Sequence, residues 1–145
     1  VLRRSGEHEA AERELATARA QMGPLDQPGA LATLAMLRLA TGRAEEARDH
    51  AADAASRLAA MGGCGLFRGA FVRLVHAEAL HATGALDAAR AAIADARAHL
   101  LAIAGRIADP AYRQSFLDAV PENARTLALA RAWLGESAGA PDRLP

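Results

Sequence analysis

The chain has 145 residues, sets 17 basic groups against 17 acidic ones, and every one of the basic groups is an arginine. A neutral sum leaves no long-range field to draw it to nucleic acid or to an anionic membrane surface, so neither is expected as a partner. The missing lysine excludes a P-loop, Schiff-base chemistry and a Ser-x-x-Lys nucleophile.

Cys64 is the single cysteine, so an intrachain disulfide or a thiolate cluster cannot form, which fits a reducing compartment. No run reaches the length of an apolar membrane span, and the start, Val1-Leu2-Arg3-Arg4-Ser5, has no apolar signal core. A cytoplasmic location follows as the expectation. Alanine fills 40 positions, and with arginine as the only basic residue this bias suggests a GC-rich bacterial genome. The first residue is valine and a helical pattern begins almost at once, so the chain is expected to be a piece of a longer protein.

β-Branched and aromatic residues are scarce and no segment alternates with period two, which makes the chain all-α. Glycines and prolines cut it into helices expected near 7–21, 29–41, 44–61, 67–83, 86–105, 110–118 and 121–135. Asp109-Pro110 reads as an N-cap with a first-turn proline, and Pro121 as a second helix start. The tail, 136–145, lacks apolar periodicity and is expected to be disordered.

Three turns are related. Gly6, Gly42 and Gly84 are each followed at the fifth residue by alanine (Ala11, Ala47, Ala89) and at the twelfth by alanine again (Ala18, Ala54, Ala96), with Leu15, Ala51 and Ile93 at the ninth. A glycine that ends one helix supplies a left-handed C-cap, and small residues one and three turns into the next helix let the two approach closely. Upstream, Leu31, Leu34 and Ala35 stand at the same distances from Gly42 as Ala124, Leu127 and Ala128 do from Gly135, and should share one buried face.

The stretch "LATLAMLRLATGRAEEARDHAADA", with a weaker copy in "FVRLVHAEALHATGALDAARAAIADA", resembles the tetratricopeptide repeat. The copy carries Arg73 and His76 where that family usually has large apolar residues, and the aromatic position four before the glycine is Arg38, Leu80 and Arg131. The resemblance implies an antiparallel helix-pair solenoid, a right-handed superhelix over 1–135: a half repeat at 6–21, hairpins at 28–61 and 67–105, and closing helices at 110–135. It also implies a protein-binding groove lined by Met36, Leu39, Phe71, Leu74, Glu78, His81, Arg125 and Trp133. The apolar members can equally be core, which is where apolar residues at helical spacing usually lie. The lysine and asparagine clamp with which some members hold a terminal carboxylate is absent. The last stretch, "RIADPAYRQSFLDAVPENARTLALARAWLG", looks like the segment closing the repeat arms of large bacterial signalling ATPases of the STAND type, which are often fused to kinase, cyclase or transcription-factor domains.

Candidate chemistry is thin. Gly135-Glu136-Ser137-Ala138-Gly139 spells a nucleophile elbow, but an elbow needs a strand before it and a histidine after it, and the pattern here follows a helix with no histidine downstream. Glu78-x-x-His81 has di-iron spacing without the second such pair the site requires. The glycine-rich 62–69 segment follows a helix and reads as an inter-repeat loop. Arg68 is the only cation near Cys64 in sequence, a weak basis for a redox thiolate. His8, His50 and His99 are expected on polar faces. Glu9 with Arg13 and Asp53 with Arg57 are surface i,i+4 pairs. The sequence thus reads as a non-catalytic, cofactor-free interaction or regulatory module whose partner is protein. A free-standing peptide-binding adaptor is the first alternative, and a helical-bundle metal protein or enzyme the second.

Overall fold

The computed structural model describes residues 2–62 and 68–135. Cys64 with most of the glycine-rich segment, Ser137 with most of the elbow pattern, and the 136–145 tail lie outside the described residues.

Seven helices and no strand are found among the described residues: α1 (Leu2–Gln21), α2 (Gln27–Ala40), α3 (Ala44–Ala60), α4 (Gly69–Ala82), α5 (Leu86–Gly105), α6 (Pro110–Asp118) and α7 (Pro121–Leu134). The described residues are all-α, as the composition predicts. Helix starts are set by different devices. Proline opens α2, α6 and α7, and Asp109 caps α6 by accepting from the amides of Ala111 (2.8 Å) and Tyr112 (3.2 Å). Without a side-chain cap, α3 and α5 instead place Glu45, Glu46 and Asp87 in their first turns, against the positive end of the helix dipole.

Two helix ends are built alike. After α2, Gly42 (φ +74°) donates to Leu39 O and Arg43 donates to Arg38 O; after α4, Gly84 (φ +81°) donates to His81 O and Ala85 donates to Leu80 O. Each is a Schellman motif with glycine at its left-handed position. The preceding threonines match too, the Thr41 hydroxyl donating to Leu37 O and Arg38 O, and the Thr83 hydroxyl to Ala79 O and Leu80 O. Gly6 does not belong to this set. It lies inside α1, where an uninterrupted hydrogen-bonded helix outweighs the modest propensity cost of an interior glycine.

Each short turn brings its two helices together, α2 onto α3 and α4 onto α5, while α4 also packs on α2 and α3, and α7 on α4, α5 and α6. Among the helices, α1 touches α2 alone. The small residues do what their spacing predicts: Ala47, Ala51 and Ala54 of α3 and Ala89, Ile93 and Ala96 of α5 are buried. One core joins Leu31 and Ala35 of α2 to Leu58 of α3 and to Phe71, Val72 and Val75 of α4; a second joins Leu74 and Ala77 of α4 to Ile93 of α5 and Ala130 of α7.

Helix α7 is turned relative to the expectation. Leu31, Leu34 and Ala35 are buried as anticipated, but α7 buries Asn123, Thr126 and Ala130, leaving Ala124 and Leu127 half-buried and Ala128 exposed. Polar side chains can occupy that face because local bonds serve them: Thr126 donates to Glu122 O (2.8 Å), and Asn123 Nδ2 donates to Phe116 O (2.9 Å) at the end of the intervening α6. The Asp53–Arg57 pair forms (2.9 Å). The Glu9–Arg13 pair does not close, since exposed ions gain too little to hold two long side chains in place.

Candidate functional site

Four of the eight candidate groove residues meet as two contacts between α4 and α7. Glu78 and His81 stand about one turn apart on α4. Arg125 Nε donates to Glu78 Oε1 at 2.6 Å, with Nη2 on the same oxygen, and the His81 ring lies on the indole of Trp133 with centroids 4.3 Å apart and planes 3° from parallel. Ala77 of α4 and Ala130 of α7 belong to one buried cluster, and side chains this small let two helices approach closely. The Glu-x-x-His pair thus faces a guanidinium and an indole, and among the described residues no group of three or more His, Cys, Asp or Glu side chains is placed to hold a metal ion.

The other candidates divide. Met36 is 43% exposed on α2. Leu39 is half-buried against the first core. Phe71 (7% exposed) and Leu74 (3%) are core residues, so they line no groove; their position in the helical pattern puts them where α4 meets its neighbours rather than solvent. Phe71 also carries the Arg68 guanidinium over its ring, 4.0 Å from the centroid.

Two open clefts flank α4. One, of about 450 Å³, lies between α3, α4 and α5 on an apolar floor of Ala55, Leu58 and Ala92, with Arg73, His76, Asp95 and His99 around it. Burial lowers the His76 pKa from its ordinary value. The other, of about 580 Å³, lies between the start of α4, the end of α5 and the α6–α7 turn. Of the histidines expected on polar faces, His99 is exposed, its Nδ1 lying 3.0 Å from Asp95 O. His50 is half-buried, and its pKa is lowered by burial and then by the nearby Arg38 and Arg19.

Sequence reasoning missed one charged cluster. Arg38, at the position where repeats usually carry an aromatic ring, reaches Glu12 of α1 (Nη1 to Oε2, 2.7 Å) and Glu46 of α3 (Nε to Oε2, 3.3 Å), and Arg43 joins Glu46 at 2.9 Å. An arginine between Leu37 and Leu39, at an otherwise apolar helical position, was the available signal.

No helix among the described residues is long and apolar enough to cross a membrane. No family model matches the chain, and neither a curated protein nor a solved structure matches it.

Proposed function

We propose that the chain is an antiparallel helix-pair solenoid of the tetratricopeptide kind, a right-handed stack that acts without catalysis as a protein-binding or regulatory arm. On this reading it is part of a larger cytoplasmic bacterial signalling protein, such as a STAND-type ATPase or a kinase, cyclase or transcriptional regulator bearing such an arm. The observation that carries the reading is the packing order: α2 contacts α4 and α4 contacts α7, which fits first helices of successive pairs with α3 and α5 in the second places and α6 as an insertion. The two matching Schellman turns support the same periodicity. Solenoids of this kind bind extended partners along the face of their first helices.

The exposed members of that face are Met36 on α2, His81 on α4 and Arg125 on α7. A peptide-display selection against the chain should enrich ligands whose binding is lost in Met36→Glu and in Arg125→Glu while circular dichroism stays unchanged. Selected peptides indifferent to both substitutions would remove the groove from consideration.

A further inference from the structure

Helix α1 meets the body of the fold at a junction of α1, α2 and α3 that is held by polar groups. None of its residues 6–21 is fully buried, and Leu15 is half-buried. Its ties are Glu12 to the Arg38 guanidinium (2.7 Å) and Arg19, whose Nε donates to Gln27 Oε1 (3.0 Å) while Gln27 Nε2 donates to Arg19 O (2.9 Å). An open cleft of about 410 Å³ lies beside these ties, with Leu15 and Arg19 of α1 on one side and Arg57 of α3 on the other. Without deep apolar burial, modest electrostatic changes decide whether such an arm stays docked.

His50 of α3 stands in this junction. Glu46, His50, Asp53 and Arg57 follow one another about a turn apart on α3, so His50 lies between the carboxylate that holds Arg38 and the arginine that lines the cleft with Arg19. The charged groups around the ring are Arg19 from α1, Arg38 from α2, and Glu46, Asp49, Asp53 and Arg57 from its own helix. Most of these carboxylates are committed. Glu46 is shared by Arg38 and Arg43, Asp53 holds Arg57, and Asp49 stands about 100° around the helix from His50. Arg19 bonds the neutral amide of Gln27 and has no carboxylate of its own among the described residues. Burial, then Arg38 and Arg19, lower the His50 pKa against the smaller upward pull of Glu46 and Asp49.

The ring and the arm are therefore linked. With α1 in place, a proton on His50 gives up water and meets Arg38 and Arg19; when α1 lifts, Arg19 leaves with it and water reaches the ring. Protonation favours lifting, and lifting favours protonation. The lifted helix can persist, being rich in alanine, glutamate and arginine. We propose that His50 is a proton-operated latch for α1. The neutral ring keeps the helix docked on α2, and the charged ring releases it in mildly acidic conditions. Release takes Leu15, Ala16 and Ala20 away from Leu34, which lines the same cleft.

The test is amide exchange of the full chain at pH 7.5 and pH 5.5, expressed as protection factors so that the intrinsic pH dependence of exchange divides out. Protection in 7–21 should fall about threefold or more beyond any fall in 44–60. His50→Gln, which stays polar but cannot charge, should abolish that excess even though His8 of α1 remains, and His76→Gln should leave it intact. Arg19→Gln should lower protection in 7–21 at both pH values yet shrink the difference between them, which loss of a merely structural contact would not do. By NMR the His50 ring should titrate below 6.5, and closer to it in Arg19→Gln. The proposal is overturned if 7–21 and 44–60 fall by the same factor, if the excess survives His50→Gln, or if the ring titrates alike with and without Arg19.

Discussion

His81 and Trp133 stack with their rings 3° from parallel, beside the ion pair of Glu78 with Arg125. The two α7 partners are eight residues apart, about 12 Å along the helix, so the contacts fix the direction of α7 on α4 as well as its distance. The exposed ion pair contributes only about 0–1 kcal/mol, and the stacked rings carry more of the coupling. A double-mutant cycle of His81→Ala and Trp133→Ala, read by urea denaturation, should give a coupling of about 0.5–1.5 kcal/mol. Additive single effects would mean that the rings touch without stabilising.

The glycines separate by backbone conformation. Gly84 stands at φ +81° in open space, where an added Cβ meets nothing within 4 Å, so the cost of Gly84→Val is the conformation itself, about 1 kcal/mol or more. Gly6, inside α1 and equally open, should respond in the other direction: Gly6→Ala should stabilise by about 0.5–1 kcal/mol. Melting temperatures of the two variants moving the same way would contradict the helix boundaries.

Most of the element map was legible because the punctuation is chemical: glycine after α2 and α4, Asp109-Pro110 before α6 and Pro121 before α7 act through local backbone geometry. The threonines before Gly42 and Gly84, each closing the same pair of carbonyls, repeat openly in the sequence and went unread. The face of α7 was not legible, because its burial depends on α6 offering the Phe116 carbonyl to Asn123, a tertiary event. For the same reason Glu78 and His81 could be placed on one face of α4, but their partners on α7 could not be assigned. Phe71 and Leu74 show the remaining ambiguity, since apolar residues at helical spacing fit a groove or a core equally well.

Ala89 is fully buried where α5 meets its neighbours. Ala89→Leu adds three carbons to a contact with no room for them, and should cost about 1–3 kcal/mol by overpacking. The same substitution at Ala128, exposed on α7, should leave the denaturation midpoint nearly unchanged. A neutral Ala89→Leu would move that face of α5 to solvent.

His76 and His50 both have pKa values lowered from 6.5 in the folded chain, His76 by burial and His50 by burial and then by Arg38 and Arg19. The unfolded chain therefore binds more protons once the pH falls below about 6.5, and stability must drop over that interval. Above it both histidines are neutral in either state and the penalty vanishes. Urea midpoints should fall between pH 7.5 and pH 5.5, and His76→Gln should flatten the decline. An unaltered slope in that variant would assign the pH dependence to other groups.

Helix α1 is held differently from the rest. It packs on α2 alone among the helices, its residues 6–21 include none that is fully buried, and its firmest tie is Glu12 to the half-buried guanidinium of Arg38 at 2.7 Å. Local opening is governed by buried apolar contact, of which α1 has little, so amides in 7–21 should exchange with solvent faster than those in 44–60. Removing the tie should sharpen the contrast. Glu12→Gln leaves Arg38 sharing Glu46 with Arg43, at 3.3 Å and 2.9 Å, while α1 loses its ionic tie to the fold. Exchange in 7–21 should then quicken with 44–60 unaffected. If both segments quicken together, Glu12 supports the whole stack through Arg38, and α1 is an integral layer of it.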